Sequence, residues 1–149
     1  MNPIMQLGHL ARRFFGSLSR RQPNDDDVSW VIGQLLADEA ALWHQLPVED
    51  RRHSILVARR FATIAVKPTR AEMAGALLHD IGKVASGLGT FGRVLATVVG
   101  PRSERFRRYH DHEALGIEML RRAGAEADTL ALIAGTGRGS NALRDADAI

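Results

Sequence analysis

Apolar residues recur along this chain with the spacing of helices rather than strands. In almost every stretch they fall three and four positions apart, and no stretch alternates apolar and polar residues over several cycles. Glycines and prolines separate the stretches from one another. The pattern therefore predicts an all-α fold.

The apolar stripes place a series of helices along the chain. A first amphipathic helix is predicted at residues 5–18, and breaker residues follow it at 22–24. We therefore expect an N-terminal helix and linker over residues 1–24 and a helical domain over residues 25–149. The further helices are predicted at residues 28–36, shortly after Asp38, between Pro47 and Pro68, and at 71–85, 91–99, 103–123, 127–134 and 141–148.

Local signals mark the ends of several of these helices. Asp38 is the expected N-cap of the short helix that follows it. Thr69 is the expected N-cap of the helix predicted at residues 71–85, and Glu72 stands three residues after it, as a capping box requires. The stretch at 71–85 is very apolar, so we expect it to form the central helix of the domain.

Composition excludes several kinds of protein and site. The 149 residues are 45% hydrophobic and 25% charged, the proportions of one ordinary globular domain. The lack of cysteine excludes a disulfide framework, a thiolate zinc site and a cysteine nucleophile. A net charge of +3 gives no reason to expect nucleic-acid binding. No apolar run approaches the roughly 18 residues of a membrane span, and the opening segment lacks a secretory core, so we expect a cytoplasmic protein.

The most informative string is LLHDIGK at residues 77–83. Two adjacent side chains of metal-ligand type, His79 and Asp80, interrupt an otherwise core-like helix, which costs free energy unless both are satisfied. Neighbours on a helix point about 100° apart, so the pair cannot chelate an ion as an i,i+4 pair would, but both can reach one ion beside the helix. The remaining ligands must then come from other helices. Lys83 adds a cation one turn beyond His79.

This string resembles the signature of the HD-domain superfamily of metal-dependent phosphohydrolases, and the similarity runs from about residue 36 to the C-terminus. The resemblance implies an HD-domain-like bundle of about seven helices. In that bundle a first His, the adjacent His-Asp pair and a late Asp hold a divalent metal. Those positions fall on His53, His79, Asp80 and Asp147, and Asp145 is a rival for the last of them.

The implied ligand set accounts for the implied chemistry. Two imidazoles and two carboxylates suit a divalent ion such as Mn, Fe, Co, Ni, Zn or Mg. Such an ion can polarise a phosphoryl oxygen and lower the pKa of water to supply hydroxide at neutral pH. Asp80 is expected to ligate the metal and orient that water, and Lys83 to offset charge on the phosphate. The implied partner is a phosphorylated small molecule, with a nucleotide as one candidate.

A second similarity is to the two-metal branch of the superfamily, which includes the HD-GYP phosphodiesterases. There a His followed four residues later by Gly begins another ligand helix, and His112 with Gly116 fits that spacing. His112 is therefore a candidate ligand of a second metal or a group just outside the first, with His110 as its competitor. The branch places a His-His pair where this chain has Thr136-Gly137, so we do not expect a complete dinuclear site.

Two other classes of function stay open on the sequence. One is a catalytically inactive HD domain that serves as a ligand-binding or protein-interaction module, which the missing His-His pair motivates. The other is a nucleic-acid or membrane-surface module built on the basic segments near residues 12–21 and 102–109, although such runs more often form a solvated helix face. The glycine-rich residues 135–140 follow no strand and are interpreted as a connection. The sequence makes no prediction of the oligomeric state.

Overall fold

The computed structural model describes residues 21–86 and 104–148. The predicted helices at residues 5–18 and 91–99 lie outside these ranges. Within the ranges all regular structure is helical and no strand occurs, as the apolar spacing predicts. The helices are α1 (Asp25–Gln34), α2 (Ala37–His44), α3 (Val48–Ile64), α4 (Arg70–Leu78), α5 (Gly82–Ser86), α6 (Glu104–Arg122), α7 (Ala127–Ala134) and α8 (Ser140–Asp147).

Helix α4 lies at the centre of the bundle. Its residues from Ala71 to Leu78 are all buried, and it packs against α3 and α7 and also contacts α1 and α2. Burial of one large apolar side chain stabilises the fold by about 2 kcal/mol. The largest fully buried apolar side chains of the core are Trp43, Phe61, Leu77, Leu78, Ile81, Leu120 and Leu132. This core fixes the end of α4, directly before His79 and Asp80.

The predicted capping box at the start of α4 is confirmed. The backbone N–H of Glu72 donates to Thr69 Oγ1 at 3.1 Å, and the backbone N–H of Thr69 donates to Glu72 Oε1, also at 3.1 Å. Glu72 additionally accepts a hydrogen bond of 2.8 Å from Nη2 of Arg138. Arg138 lies in the connection between α7 and α8. The start of α4 therefore also holds the segment that leads into α8.

The predicted N-cap at Asp38 is wrong. Helix α2 begins at Ala37, one residue earlier, because Leu36 has the extended backbone of an N-cap. The Glu39 carboxylate accepts the Leu36 N–H at 2.8 Å and also receives Arg70 Nη1 at 3.1 Å. Glu39 is completely buried, whereas Asp38 is exposed. The longer acidic side chain, three residues after the cap, satisfies the helix start in place of Asp38.

The prediction of one continuous helix over residues 71–85 is also wrong. Helix α4 ends at Leu78, a turn follows, and α5 starts at Gly82. Around the turn the N–H of Ile81 donates to the carbonyl oxygen of Leu78 at 3.0 Å. The N–H of Lys83 donates to the carbonyl oxygen of Asp80, also at 3.0 Å. These i→i−3 bonds tighten the backbone. His79 and Asp80 therefore lie in a turn between two helices rather than within one helix.

Candidate metal centre

Three helices bring the sequence-assigned ligands to one place. His53 lies in α3, His79 follows the last residue of α4, Asp80 lies in the next position of the turn, and Asp147 is the last residue of α8. Helix α3 packs against both α4 and α8. His53 and Asp147 are 94 positions apart in sequence and hydrogen-bonded in the fold. We call these four residues the His-Asp cluster.

The distances within the cluster are short. His53 Nε2 lies 2.9 Å from Asp147 Oδ1, and His79 Nε2 lies 3.3 Å from the same oxygen. His79 Nε2 also lies 3.4 Å from Asp80 Oδ2. Two ligands of one ion, each about 2.1 Å from it, are at most about 4.2 Å apart. All three separations fall within that limit, so one divalent ion can be held with small movements of the side chains.

The closest set comprises three of the four residues. One ligand atom each from His53, His79 and Asp147 lies within 4.8 Å of the other two. The two imidazole rings are tilted, with centroids 6.1 Å apart. Asp80 joins this set from the side of His79, through its Oδ2 atom.

The hydrogen bonding of His79 leaves one ring nitrogen available to a cation. Its Nδ1 lies 2.7 Å from the carbonyl oxygen of Ala76, so this nitrogen carries the proton and donates it. Its Nε2 is buried and makes no hydrogen bond of good geometry, although carboxylate oxygens of Asp80 and Asp147 face it. A lone pair that faces carboxylate oxygens is repelled unless a cation lies between them. The residues therefore fit a metal ion, and the backbone bond is the one that commonly orients a metal-binding imidazole.

The electrostatics of the cluster also favour a cation. Burial alone lowers the pKa of His79, but the carboxylates of Asp147 and Asp80 outweigh it, so that pKa is raised. Burial alone raises the pKa of Asp147, but the hydrogen bond from His53 and the nearby imidazole of His79 outweigh it and hold that pKa well below its usual range. The shift of His79 expresses the negative charge of the carboxylates around its ring, whereas the shift of Asp147 expresses the two imidazoles that stabilise its carboxylate. A divalent ion would neutralise this charge more completely than one proton.

Lys83 extends the cluster on its open side. Lys83 lies in α5, and its Nζ atom is 3.2 Å from Oδ2 of Asp80 in the preceding turn. The Lys83 side chain is 47% exposed and that of Asp80 is 27% exposed. Asp80 therefore lies between the buried His79 and a cation at the surface.

A cleft of about 330 Å³ opens beside the cluster. His79, Asp80 and Asp147 line one end, together with Lys83. The C-terminal half of α7 and the inner face of α8 form the other walls. The lining residues from α6, α7, the residue after α7, and α8, besides those of the cluster, are His112, Glu113, Leu132, Ile133, Ala134, Gly135, Ser140, Leu143 and Arg144.

His112 lines the cleft but is not one of the three residues whose ligand atoms lie closest together. Its helix, α6, lies very close to Gly82 at the start of α5, so a Cβ on Gly82 would overlap the carbonyl oxygen of His112. A Cβ on Gly116 would lie 3.1 Å from the backbone nitrogen of Gly82. Two glycines thus allow α6 to place His112 beside the cluster. The side chain of His110 lies outside the described part of the chain.

Asp145, the rival of Asp147, and the Thr136-Gly137 pair all lie outside the closest set of ligand atoms. Asp145 is exposed and does not join the closest set, whereas Asp147 does. Thr136 is exposed, and its hydroxyl lies 3.4 Å from the carbonyl oxygen of Ala131. Neither Thr136 nor Gly137 lines the cleft in the described part of the chain.

Sequence reasoning missed Asp50, a half-buried acidic residue near the cluster. It lies one helical turn before His53 in α3. Burial raises the pKa of Asp50, and the nearby carboxylates of Asp80 and Glu49 raise it further, against the opposing charges of Lys83 and His53. The spacing of three residues from His53 was the available signal, since such residues share a helix face.

A comparison with protein families agrees with this geometry. The family model described as HD domain matches residues 51–146. The chain belongs to the HD-domain family. His53, His79 and Asp80 of this HD domain lie inside the matched range. Asp147 follows the range by one residue, so its assignment depends on the geometry.

Other comparisons add no relative. No curated protein and no solved structure matches this HD domain. Among the helices that the structure describes, none is both long and apolar enough to cross a bilayer.

Proposed function

We propose that this HD domain is a metal-dependent phosphohydrolase that cleaves a phosphate ester, with a nucleotide as one candidate substrate. The observation that carries the proposal is the buried Nε2 atom of His79, which faces two carboxylates and has no hydrogen bond. The family match supports the same class of reaction, since the HD-domain superfamily includes metal-dependent phosphohydrolases. The cleft beside the cluster provides room for a substrate.

The proposed ligands are His53, His79, Asp80 and Asp147. His112 lines the cleft and is proposed as a group near the ion or as a ligand of a second one. The nitrogen and oxygen donors suit Mn, Fe, Co, Ni, Zn or Mg. When bound, the ion would polarise the phosphoryl group and lower the pKa of the attacking water.

The side chains around the ion have distinct proposed roles. The second oxygen of Asp80 would accept a hydrogen bond from the attacking water and orient it. Lys83 is held by Asp80 at 3.2 Å and lines the cleft, so its ammonium group would offset charge on the phosphate. The hydrogen bond from Nδ1 to Ala76 keeps the His79 imidazole in one orientation.

A matched pair of variants tests this assignment. Asp147→Asn removes a cluster carboxylate, and Asp145→Asn removes an exposed one from the same helix. We expect Asp147→Asn to lose most of the bound metal and most of the hydrolysis of phosphate esters. Metal content is measured by mass spectrometry after dialysis, and hydrolysis is assayed with each of the six metals in turn. Equal metal content and equal activity in the two variants would exclude the proposed site.

The second candidate is a catalytically inactive HD domain that binds a ligand or a protein. It is favoured by Thr136 and Gly137, which stand where the two-metal branch has a His-His pair. Neither residue can replace an imidazole ligand, and neither lines the described cleft. The two candidates differ in turnover. A metal-loaded protein that binds phosphate but hydrolyses no member of a broad panel of monoesters and diesters would support the binding module.

A further inference from the structure

Arg144 is a cation of the cleft that the proposed mechanism does not use. It lies in α8 and lines the cleft together with Ser140 and Asp147. These residues are spaced four and three apart, so they share one face of the helix. Arg144 therefore precedes Asp147 by three residues, or about 4.5 Å along the helix axis. A guanidinium at this distance can reach a group bound at the cluster.

The guanidinium of Arg144 has no partner in the described part of the chain, where no hydrogen bond or ion pair of this side chain occurs. Other arginines around the bundle are engaged. Arg138 bonds to Glu72 at 2.8 Å, and Arg70 bonds to Glu39 at 3.1 Å. Arg144 is exposed at the cleft and keeps its donors available for a ligand.

The charge of the cleft favours an anion. Asp80, Glu113 and Asp147 contribute three carboxylates to its lining, and Lys83 and Arg144 contribute two cations. With a divalent ion added, positive charge exceeds negative charge by one. This excess attracts both a phosphate monoester, which carries close to two negative charges at pH 7, and a diester, which carries one. The charge therefore favours a phosphate without separating the two classes.

The shape of the cleft and the geometry of the guanidinium group separate the two classes. Its volume of about 330 Å³ is near the lower end for ligand pockets, and Leu132, Ile133 and Leu143 form an apolar wall. Such a cleft suits one organic substituent on the phosphate. The planar guanidinium fork binds two oxygens of a phosphate side by side. A monoester has three oxygens without a substituent and a diester has two. If one of them faced the metal ion, only a monoester would leave two for the fork.

We propose that Arg144 binds two terminal oxygens of the substrate phosphate and so selects phosphate monoesters over diesters. This inference rests on the proposed hydrolase function. It makes Arg144 a specificity-determining residue, distinct from the metal ligands and from Lys83.

The test compares three variants on two chromogenic substrates, p-nitrophenyl phosphate and bis(p-nitrophenyl) phosphate. Arg144→Gln removes the charge, Arg144→Lys keeps the charge without the fork, and Arg60→Gln removes an exposed arginine of α3 that does not line the cleft. We expect Arg144→Gln to raise KM for the monoester about tenfold or more with little change for the diester, and Arg144→Lys to fall between. Metal content should stay at the wild-type level in all three.

A binding measurement separates this inference from the hydrolase proposal. Calorimetry gives the affinity of inorganic phosphate for each metal-loaded protein. If the wild type hydrolyses neither ester, the hydrolase proposal fails, and weaker phosphate binding in Arg144→Gln than in Arg60→Gln would still support Arg144 as the phosphate contact. Two results would overturn the inference: equal behaviour of Arg144→Gln and Arg60→Gln, or an equal loss on monoester and diester.

Discussion

His79 is held in a single tautomer by its own helix end. The carbonyl of Ala76 accepts from Nδ1 because helix α4 ends at Leu78 and leaves that carbonyl without its regular partner. Nε2 is then directed at Asp147 and Asp80. The sequence indicated a polar interruption at this point, but which nitrogen of His79 faces the carboxylates of Asp80 and Asp147 depends on where the helix ends.

Lys83 provides a prediction at the scale of single residues. Lys83→Gln should lower kcat/KM for phosphate esters by about 100-fold, because one positioned charge at a reacting phosphate is removed. The bound metal should not change, since Lys83 is not a ligand. Lys67→Gln, at an exposed lysine between α3 and α4, serves as the control. Steady-state kinetics and metal analysis check both, and equal kcat/KM in the two variants would contradict the assigned role.

Glu72 provides a pH-dependent prediction. Its bond from Arg138 and the bond from the Thr69 backbone lower its pKa against the effect of burial. Because the folded pKa lies below the unfolded value, Glu72 stabilises the fold fully above the unfolded pKa. That contribution is lost as the pH falls through the folded pKa. Glu72→Gln should therefore cost about 2 kcal/mol at pH 7 and less at pH 3, as measured by urea denaturation.

The control for this prediction is Glu118→Gln. Glu118 also pairs with arginines, at 2.7 Å from Arg121 and 3.1 Å from Arg122, but the pairs are exposed on α6. Exposed pairs contribute little to stability. A cost for Glu72→Gln that is the same at both pH values, or no larger than that for Glu118→Gln, would argue against the assigned role of Glu72.

At the scale of elements, the apolar spacing predicted the helices well and their ends less well. Helices α6 and α7 lie at the predicted residues to within one position. The predicted start of α2 was wrong because Glu39, three residues after Leu36, accepts the Leu36 N–H in place of the expected cap at Asp38. The predicted end of α4 was wrong because the close contact of Gly82 with α6 acts through tertiary structure. Local spacing holds no information about a neighbouring helix.

The close contact between α5 and α6 gives a prediction at this scale. Gly82→Ala should destabilise the protein by about 2 kcal/mol or more, because the added methyl group overlaps the backbone of His112. It should also weaken metal binding, since the turn that carries Asp80 must move. Gly33→Ala is the matched control, because a Cβ there meets nothing within 4 Å and alanine favours the helix. Thermal unfolding should separate the two variants in opposite directions.

At the scale of the whole molecule, the site depends on the convergence of distant segments. The family resemblance assigned the four ligands, but spacing alone could not show that Asp147 meets His53 or that Asp145 points elsewhere. Likewise, no local signal placed Arg144 in the cleft without a partner. These relations follow from the packing of α8 against α3, and that packing depends on the core and on the link between Arg138 and Glu72.

The most direct measurement is an anomalous difference map from crystals of the full chain soaked in a Mn, Co or Zn salt and recorded at the absorption edge of that metal. We predict one peak about 2.0–2.3 Å from Nε2 of His53 and of His79 and from carboxylate oxygens of Asp80 and Asp147. The absence of a peak at this position, with the four side chains placed as described here, would contradict the proposed metal centre.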